Sequence, residues 1–253
     1  MEYGYLCTYD GRKIHSEIQF VKKYFDFIEL TIKLRKNLSD VLKSKIYLTS
    51  IKILGHLDWN INLSEFDPNE IRKSYNYILL FKKLGIKKVT IHPSPNMKLD
   101  AKKVIENNLR SLNKIVECCL KNGINLMIEN TVSSPFNKAS IIKKLLDKIS
   151  NLSLTLDVGH ALKTSKRELW NFLEMKEKIE HIHLHDVFNK EDHLFFRDYN
   201  RLGRIMDKIK KTGYDKTISF ECFGMYRDGK IIEVTGNKRR LLLISHLKVL
   251  RES

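Results

Sequence analysis

Cysteine, proline and glycine are all scarce in this 253-residue chain, which has four cysteines, four prolines and 11 glycines. The cysteines at 7, 118, 119 and 222 form neither a C-x-x-C pair nor a disulfide framework. Disulfides are thereby excluded as scaffold, and a reduced, cytoplasmic compartment is expected. Cys118 and Cys119 sit side by side in a helical stretch and read as core filler. No proline-rich, glycine-rich or low-complexity stretch interrupts the chain, so one domain is expected over residues 1–253. No apolar run approaches the roughly 18 residues of a membrane span, which speaks against a membrane partner. The opening "MEYGYLCTYDGRK" lacks the charged-then-apolar order of a secretory signal. Also missing is a glycine-rich phosphate turn after an early strand, the mark of an open dinucleotide-binding sheet.

Acidic residues are outnumbered by basic ones, 30 against 46, for a net charge of +16. An excess of that size is compatible with nucleic acid or a phosphorylated substrate. The lysines are nevertheless scattered. Pairs such as Lys22-Lys23, Lys82-Lys83, Lys87-Lys88 and Lys143-Lys144 fall on predicted helix faces or loops, the usual pattern of a solvated surface.

What the chain does contain is a regular alternation of short apolar runs and longer amphipathic stretches. Strands are predicted at 3–8, 25–31, 51–56, 88–92, 125–129, 152–157, 181–185 and 217–221. The stretch 67–85 opens with an Asp N-cap and a Pro at the first helical position and closes on Gly85. Asp100 and Gly123 bracket a second helix in the same way, and further helical patterns cover about 137–149, 164–178, 199–213 and 237–251. Alternating β and α units imply a parallel sheet with helices outside, and this many units in 253 residues fit a single (β/α)8 TIM barrel.

The strand ends carry the chemistry. They offer Glu29, His56, His92, Glu129, Asp157, His183 with His185, and Glu221, while the loops just beyond add His160 and the "EDH" of 191–193. In a barrel the C-terminal strand ends converge on one rim, where active sites of this fold are built. Carboxylates crowded in a partly desolvated mouth repel one another unless cations sit between them. Imidazole with carboxylate is the ligand mixture expected for Zn²⁺, Mn²⁺ or a similar divalent ion. In "HIHLHD" (181–186) the alternation of a strand puts the three histidines on one face and Ile182 and Leu184 on the other.

These residues resemble the xylose isomerase-like TIM barrels, a family holding sugar isomerases and epimerases together with endonuclease IV-type abasic-site nucleases. "LMIENT" (126–131), "LTLDVGHA" (154–161), "HIHLHD" and "ISFE" (218–221) are similar to its shared metal-binding strands. The resemblance implies Glu129, Asp157, His183 and Glu221 as metal ligands. "GHLDWNINL" (55–63) and "VTIHPSP" (89–95) are similar to segments that supply further ligands in the nuclease branch. They bring His56 and His92, and with His160 and Glu191-x-His193, which also match that branch's positions, the resemblance implies a multinuclear site. The nuclease's base-stacking loop has no clear counterpart in "FIELTIKLRKN" (27–37), and "FDFIEL" and "HLHD" look more like the isomerase/epimerase branch.

Two enzymatic readings follow from the resemblance. The first is a divalent-metal-dependent isomerase or epimerase of a small sugar or sugar phosphate. Here Glu129 and Glu221 move the proton, His160, His185 and Trp59 contact substrate, and Mn²⁺ or Mg²⁺ occupies a single site. The second is a zinc phosphodiesterase cutting DNA at abasic sites, with the full ligand set engaged and Trp59 on the DNA face. A non-catalytic metal-binding barrel leaves the intact acid/base set unexplained. Of the three strand histidines, His183 is the expected ligand, His185 its neighbour toward the mouth, and His181 a structural residue lower down.

Overall fold

Period-two alternation with both faces covered builds the barrel. In the computed structural model, which describes residues 1–9, 14–32, 50–189, 191–227 and 230–252, the barrel strands are β1 (Glu2–Tyr9), β2 (Phe27–Ile32), β3 (Lys52–His56), β4 (Lys88–Ile91), β5 (Asn125–Glu129), β6 (Leu152–Asp157), β7 (Ile179–Leu184) and β10 (Thr217–Phe220). They close in the order β1-β10-β7-β6-β5-β4-β3-β2, every pair parallel. The expected (β/α)8 barrel is thus the observed one. Residues 33–37 of "FIELTIKLRKN" lie outside the described part of the chain.

The helices among the described residues are α1 (Ile14–Tyr24), α2 (Pro68–Lys83), α3 (Ala101–Lys121), α4 (Ala139–Lys148), α5 (Val158–Thr164), α6 (Lys166–Leu173), α7 (Tyr199–Lys211) and α8 (Gly236–Glu252). Their starts follow from side chains. Asp67 accepts a hydrogen bond from the Asn69 N–H ahead of Pro68, and Asp100 accepts from the N–H groups of Lys102 and Lys103. Both helices end before a glycine at positive φ, Gly85 at 77° and Gly123 at 67°. Helix α1 was not among the expected elements. It has apolar residues at Ile14, Ile18 and Val21 but no capping residue immediately before Ile14 to announce it. Beyond Thr164, the last residue of α5, the pattern expected over 164–178 is α-helical only over Lys166–Leu173, where Ser165 is extended and its hydroxyl accepts from the Glu168 N–H to start α6. A 3-10 turn follows at Lys176–Lys178, and helix α5 was not among the expected elements.

A second departure lies at the mouth. The loops after β7 and β10 form a small sheet of β8 (Asp186–Phe188), β9 (Glu191–Leu194), β11 (Gly224–Arg227) and β12 (Lys230–Glu233), in the order β12-β11-β9-β8. These runs are short and carry little periodicity, so nothing local sets them apart from loop. Among the described residues no helix is long and apolar enough to cross a membrane.

Outward-facing strand residues such as Ile28, Leu30, Val89, Ile91, Leu126, Ile128, Leu154, Leu156, Ile182 and Leu184 join the helices in one apolar core. Inward residues are largely polar and equally buried, among them Glu29, Thr90, Thr155, His181 and Ser219. Thr90 and Thr155 hydrogen-bond across the interior, Oγ1 to Oγ1 at 2.9 Å. Phe81 of α2 is fully buried against β3, with ring atoms 3.1–3.2 Å from the point a Cβ on Gly55 would occupy. Phe81→Ala is expected to cost about 3–5 kcal/mol through lost contacts and the cavity left behind. Urea denaturation of the metal-free protein would measure it, and a cost under about 1 kcal/mol would contradict this packing.

Candidate metal centre

Strand termination sets the site. Glu129 is the last residue of β5 and Asp157 the last of β6, His183 lies on β7, and Glu221 follows β10 directly. A ligand atom from each of these residues comes within 4.8 Å of the others, and all are buried. His183 Nδ1 is 3.0 Å from Glu221 Oε2, 3.2 Å from Glu129 Oε2 and 3.9 Å from Asp157 Oδ2. Glu129 Oε1, His183 Nδ1 and Glu221 Oε2 are buried without a hydrogen bond. Such atoms are costly unless something satisfies them. Their convergence on one point, with carboxylate and imidazole donors around it, fits a divalent cation.

Glu129 belongs to a second donor set as well. His56 ends β3 and His92 follows β4, and their Nε2 atoms reach Glu129 Oε2 at 3.2 and 3.0 Å. His56 Nδ1 donates to its neighbour's carbonyl, Leu57 O, at 2.8 Å, so Nε2 is the nitrogen it turns to Glu129. One carboxylate shared between two donor sets is the arrangement that bridges two ions. The first set is the one the family resemblance implies, whereas the closure of His56 and His92 on Glu129 was not readable locally, because 73 residues separate His56 from Glu129.

A third group consists of His160, His185 and His193. Its chemistry differs from expectation at two residues. The His193 N–H donates to His185 Nδ1 at 2.9 Å, and His185 Nε2 donates to Asp157 at 3.0–3.1 Å. Both ring nitrogens of His185 are therefore engaged and the residue is fully buried, so it supports Asp157 and does not face a substrate. Gly159 permits this approach, since a Cβ there would lie 2.0 Å from the His185 ring. Glu191, expected as a ligand, is exposed on β9 and joins none of the ligand groups. Asp192 points inward in its place, to His193 Nδ1 at 3.0 Å and Lys163 Nζ at 2.7 Å. The displacement by one residue comes with His193 at φ 54°, a kink that turns the strand just before the mouth.

Two residues, Asn130 and Glu29, have supporting roles that had not been assigned to them. The Asn130 side chain accepts from the Asp157 N–H at 2.8 Å and donates to the Asp157 carbonyl at 2.9 Å, so it pins Asp157 beside Glu129. Its own carbonyl accepts from His160 Nδ1 at 3.0 Å, which leaves Nε2 of His160 as its free nitrogen. Glu29, on β2, accepts from His183 Nε2 at 3.0 Å. An Asn following a strand Glu is a readable signal, whereas a partner across the barrel is not.

Beside these groups opens a cleft of about 630 Å³ lined by Trp59, Asn60, Asn62, Ser64, His92, Asn96, Met97, Lys98, Thr131, Ser133 and His160. Trp59 is 51% exposed there.

The sequence profile described as xylose isomerase-like TIM barrel matches residues 16–251. The chain belongs to that family. Within it, an uncharacterized protein of Methanocaldococcus jannaschii is 32% identical over 106 residues, 41% of this chain and 41% of that protein. A probable endonuclease 4 of Thermosipho africanus is 28% identical over 158 residues, 54% of this chain and 55% of that protein. The chain thus spans about half or less of the curated relatives it matches. A D-allulose 3-epimerase from Methylomonas sp., solved with D-allulose, shares the fold with a TM-score of 0.79 at 15% identity, covering 100% of this chain and 96% of that one.

In this xylose isomerase-like barrel, burial disfavours charge on every group at the rim, yet attraction between opposite charges prevails. Glu29, Glu129 and Glu221 raise His183 well above the ordinary imidazole range against the effect of its burial. Glu129 and Glu221 lie well below the usual carboxylate range: burial opposes this, and the neighbouring imidazoles, His183 among them, bring it about. Despite burial, His160 is raised to about 9, chiefly by Asp157 and Glu129. His193 is raised to about 11, chiefly by Glu221 and Asp192.

His160 and His193 are thus favoured in the protonated form by the surrounding carboxylates at neutral pH in the metal-free protein. Their stabilisation is complete below about 6.5, their ordinary value, and is lost as the pH rises through about 9 to 11. An ion entering the site displaces protons, so metal affinity is expected to rise between pH 6 and pH 9. Calorimetry in buffers of different ionisation heat is expected to show at least one proton released per Zn²⁺ bound at pH 7. A pH-independent affinity without proton release would contradict this electrostatic picture.

Proposed function

We propose that the protein is a divalent-metal-dependent isomerase or epimerase of a small sugar. The observation carrying this reading is the cleft beside the ligand group, whose polar lining is mostly hydroxyl and amide: Asn60, Asn62, Ser64, Asn96, Thr131 and Ser133. Such side chains suit the hydroxyls of a polyol, and the exposed face of Trp59 suits its C–H face. Among the described residues Lys98 is the one Lys or Arg in this lining, enough for one sugar phosphate.

Glu129, Asp157, His183 and Glu221 would hold the ion, Mn²⁺ or Mg²⁺ in a single site and Zn²⁺ if His56 and His92 hold a second. When bound, it polarises the substrate carbonyl. The chain's own residues then move the proton. Glu221, the least buried of the four at 7% exposure, takes it from the carbon next to the carbonyl. For isomerisation Glu221 returns the same proton to the neighbouring carbon. For epimerisation Glu129, three strands round the barrel on β5, takes up a proton from solvent and delivers it to the opposite face while Glu221 gives its proton up to solvent. His160, whose Nδ1 is held by Asn130, offers Nε2 to a substrate hydroxyl.

A second reading has its own observation. His56 and His92 make Glu129 a carboxylate common to two donor sets, as two-ion phosphodiester cleavage requires. With the named endonuclease 4 relatives, this supports an abasic-site nuclease. Against it stand the exposed Glu191, which joins none of the ligand groups, and the engagement of both His185 nitrogens.

The two readings separate in one experiment. The metal-loaded protein is incubated in D₂O with a panel of ketoses and ketose phosphates, and in parallel with an abasic duplex oligonucleotide. Deuterium exchange at the carbon next to the carbonyl is expected, reduced by a factor of about 10² to 10⁴ in Glu221→Gln and Glu129→Gln, with the duplex intact. Strand cleavage at the abasic site without exchange would sink the isomerase reading and support the nuclease.

A further inference from the structure

A buried hydrogen-bond chain runs beneath the metal centre, and the proposed reaction leaves it without a role. Glu29 on β2 is fully buried. Its side chain crosses the barrel interior to β7, from which its strand is separated by β1 and β10. There it meets two histidines of one strand face. His183 Nε2 is 3.1 and 3.0 Å from the two carboxylate oxygens, and His181 Nε2 is 3.0 Å from Oε2. On its other side His181 Nδ1 meets Thr217 O at 3.0 Å and Thr217 Oγ1 at 2.8 Å. The register supports this contact, since Thr217 lies opposite His181 and Ser219 opposite His183 in the β10–β7 pair.

We infer that Glu29 is a positioning residue that presents His183 to the metal through Nδ1. An ionised carboxylate can only accept hydrogen bonds, so a ring nitrogen at 3.1 and 3.0 Å from its two oxygens must carry the proton. With Nε2 protonated, a neutral His183 has its lone pair on Nδ1. That atom is buried without a hydrogen bond, and it faces Glu129, Asp157 and Glu221. One contact thereby settles the tautomer, the ring orientation and the donor strength of the ligand. The acceptor charge also makes the imidazole a better donor to a cation than a neutral acceptor would.

His181 keeps Glu29 in place. Without it the carboxylate would have one buried partner, and its second oxygen could turn away from His183. Phe27 packs edge-on to His181 at a centroid distance of 5.9 Å and closes the layer below. His181 is thus a support for Glu29, two contacts removed from any ion.

The inference rests on the metal centre and not on the reaction assigned to it. Glu29→Gln keeps the side chain's size but replaces the charge with an amide. Zn²⁺ affinity, measured by competition with a chelator, is expected to fall 10- to 100-fold in this variant. Its Co²⁺ complex is expected to show altered visible ligand-field bands, while far-UV circular dichroism of the metal-free variant remains that of the wild type. If Glu29→Gln fails to fold, the wild type still provides the test. Long-range ¹H–¹⁵N correlation spectra of the Zn²⁺-loaded protein are expected to show His183 metallated at Nδ1 and protonated at Nε2. Zn²⁺ affinity within threefold of wild type in a folded Glu29→Gln protein would overturn the assignment. Coordination of His183 through Nε2 would do the same. Wild-type protein that takes up no Zn²⁺ would remove the centre itself, whereas absence of sugar exchange alone counts only against the proposed reaction.

Discussion

Concentrated negative charge in a place with little water is the constraint around which this barrel is organised. Glu29, Glu129, Asp157 and Glu221 all lie at or near zero exposure. Buried carboxylates without compensation cost several kcal/mol each and would protonate or unfold the site. The chain answers with imidazoles. His181 and His183 meet Glu29, His56 and His92 meet Glu129, and His185 meets Asp157. His183 donates to Glu29 through Nε2 and turns Nδ1 to the other carboxylates, so a residue that makes one buried carboxylate tolerable also serves the site for a cation.

The centre is consequently layered. At the rim are the orphaned atoms of Glu129, His183 and Glu221, open to an ion. One level down, Asn130 and His185 hold Asp157 by its backbone and its carboxylate, and Glu29 holds His183. Above, the small sheet at the mouth carries His193 and, through Asp192 and Lys163, ties β9 to helix α5. Rigid supports of this kind matter because metal ligands function only within a fraction of an ångström of the right geometry.

Much of this was legible before any coordinates. The alternation of strands and helices, the Asp67–Pro68 and Asp100 helix starts, and the Glu or His at successive strand ends pointed to the barrel and to its occupied rim. Those signals are local: a cap or a strand end is recognisable from the residues beside it. Strand boundaries moved by a residue or two, most at β2, which begins at Phe27 and not at 25, and at β7, which begins at Ile179 ahead of the expected His181. The mouth sheet, helix α1 and helix α5 were not anticipated, because short or uncapped elements carry weak periodicity and tertiary contacts decide them.

The line between the two sources runs through the histidine strand. Sequence alone determined that His181, His183 and His185 share a face, since a strand's side chains alternate by backbone geometry. It also determined that the face opposite, Ile182 and Leu184, is core. Which nitrogen each ring uses, and for what, was decided only by partners 28 to 154 residues away: Asp157 for His185, Thr217 and Glu29 for His181, Glu29 for His183. The same holds for Glu191, exposed although its place in the motif matched, and for Asp192, turned inward beside His193. Residue types follow from the chain, but a hydrogen bond's donor and acceptor are set by what closure of the barrel brings within 3 Å.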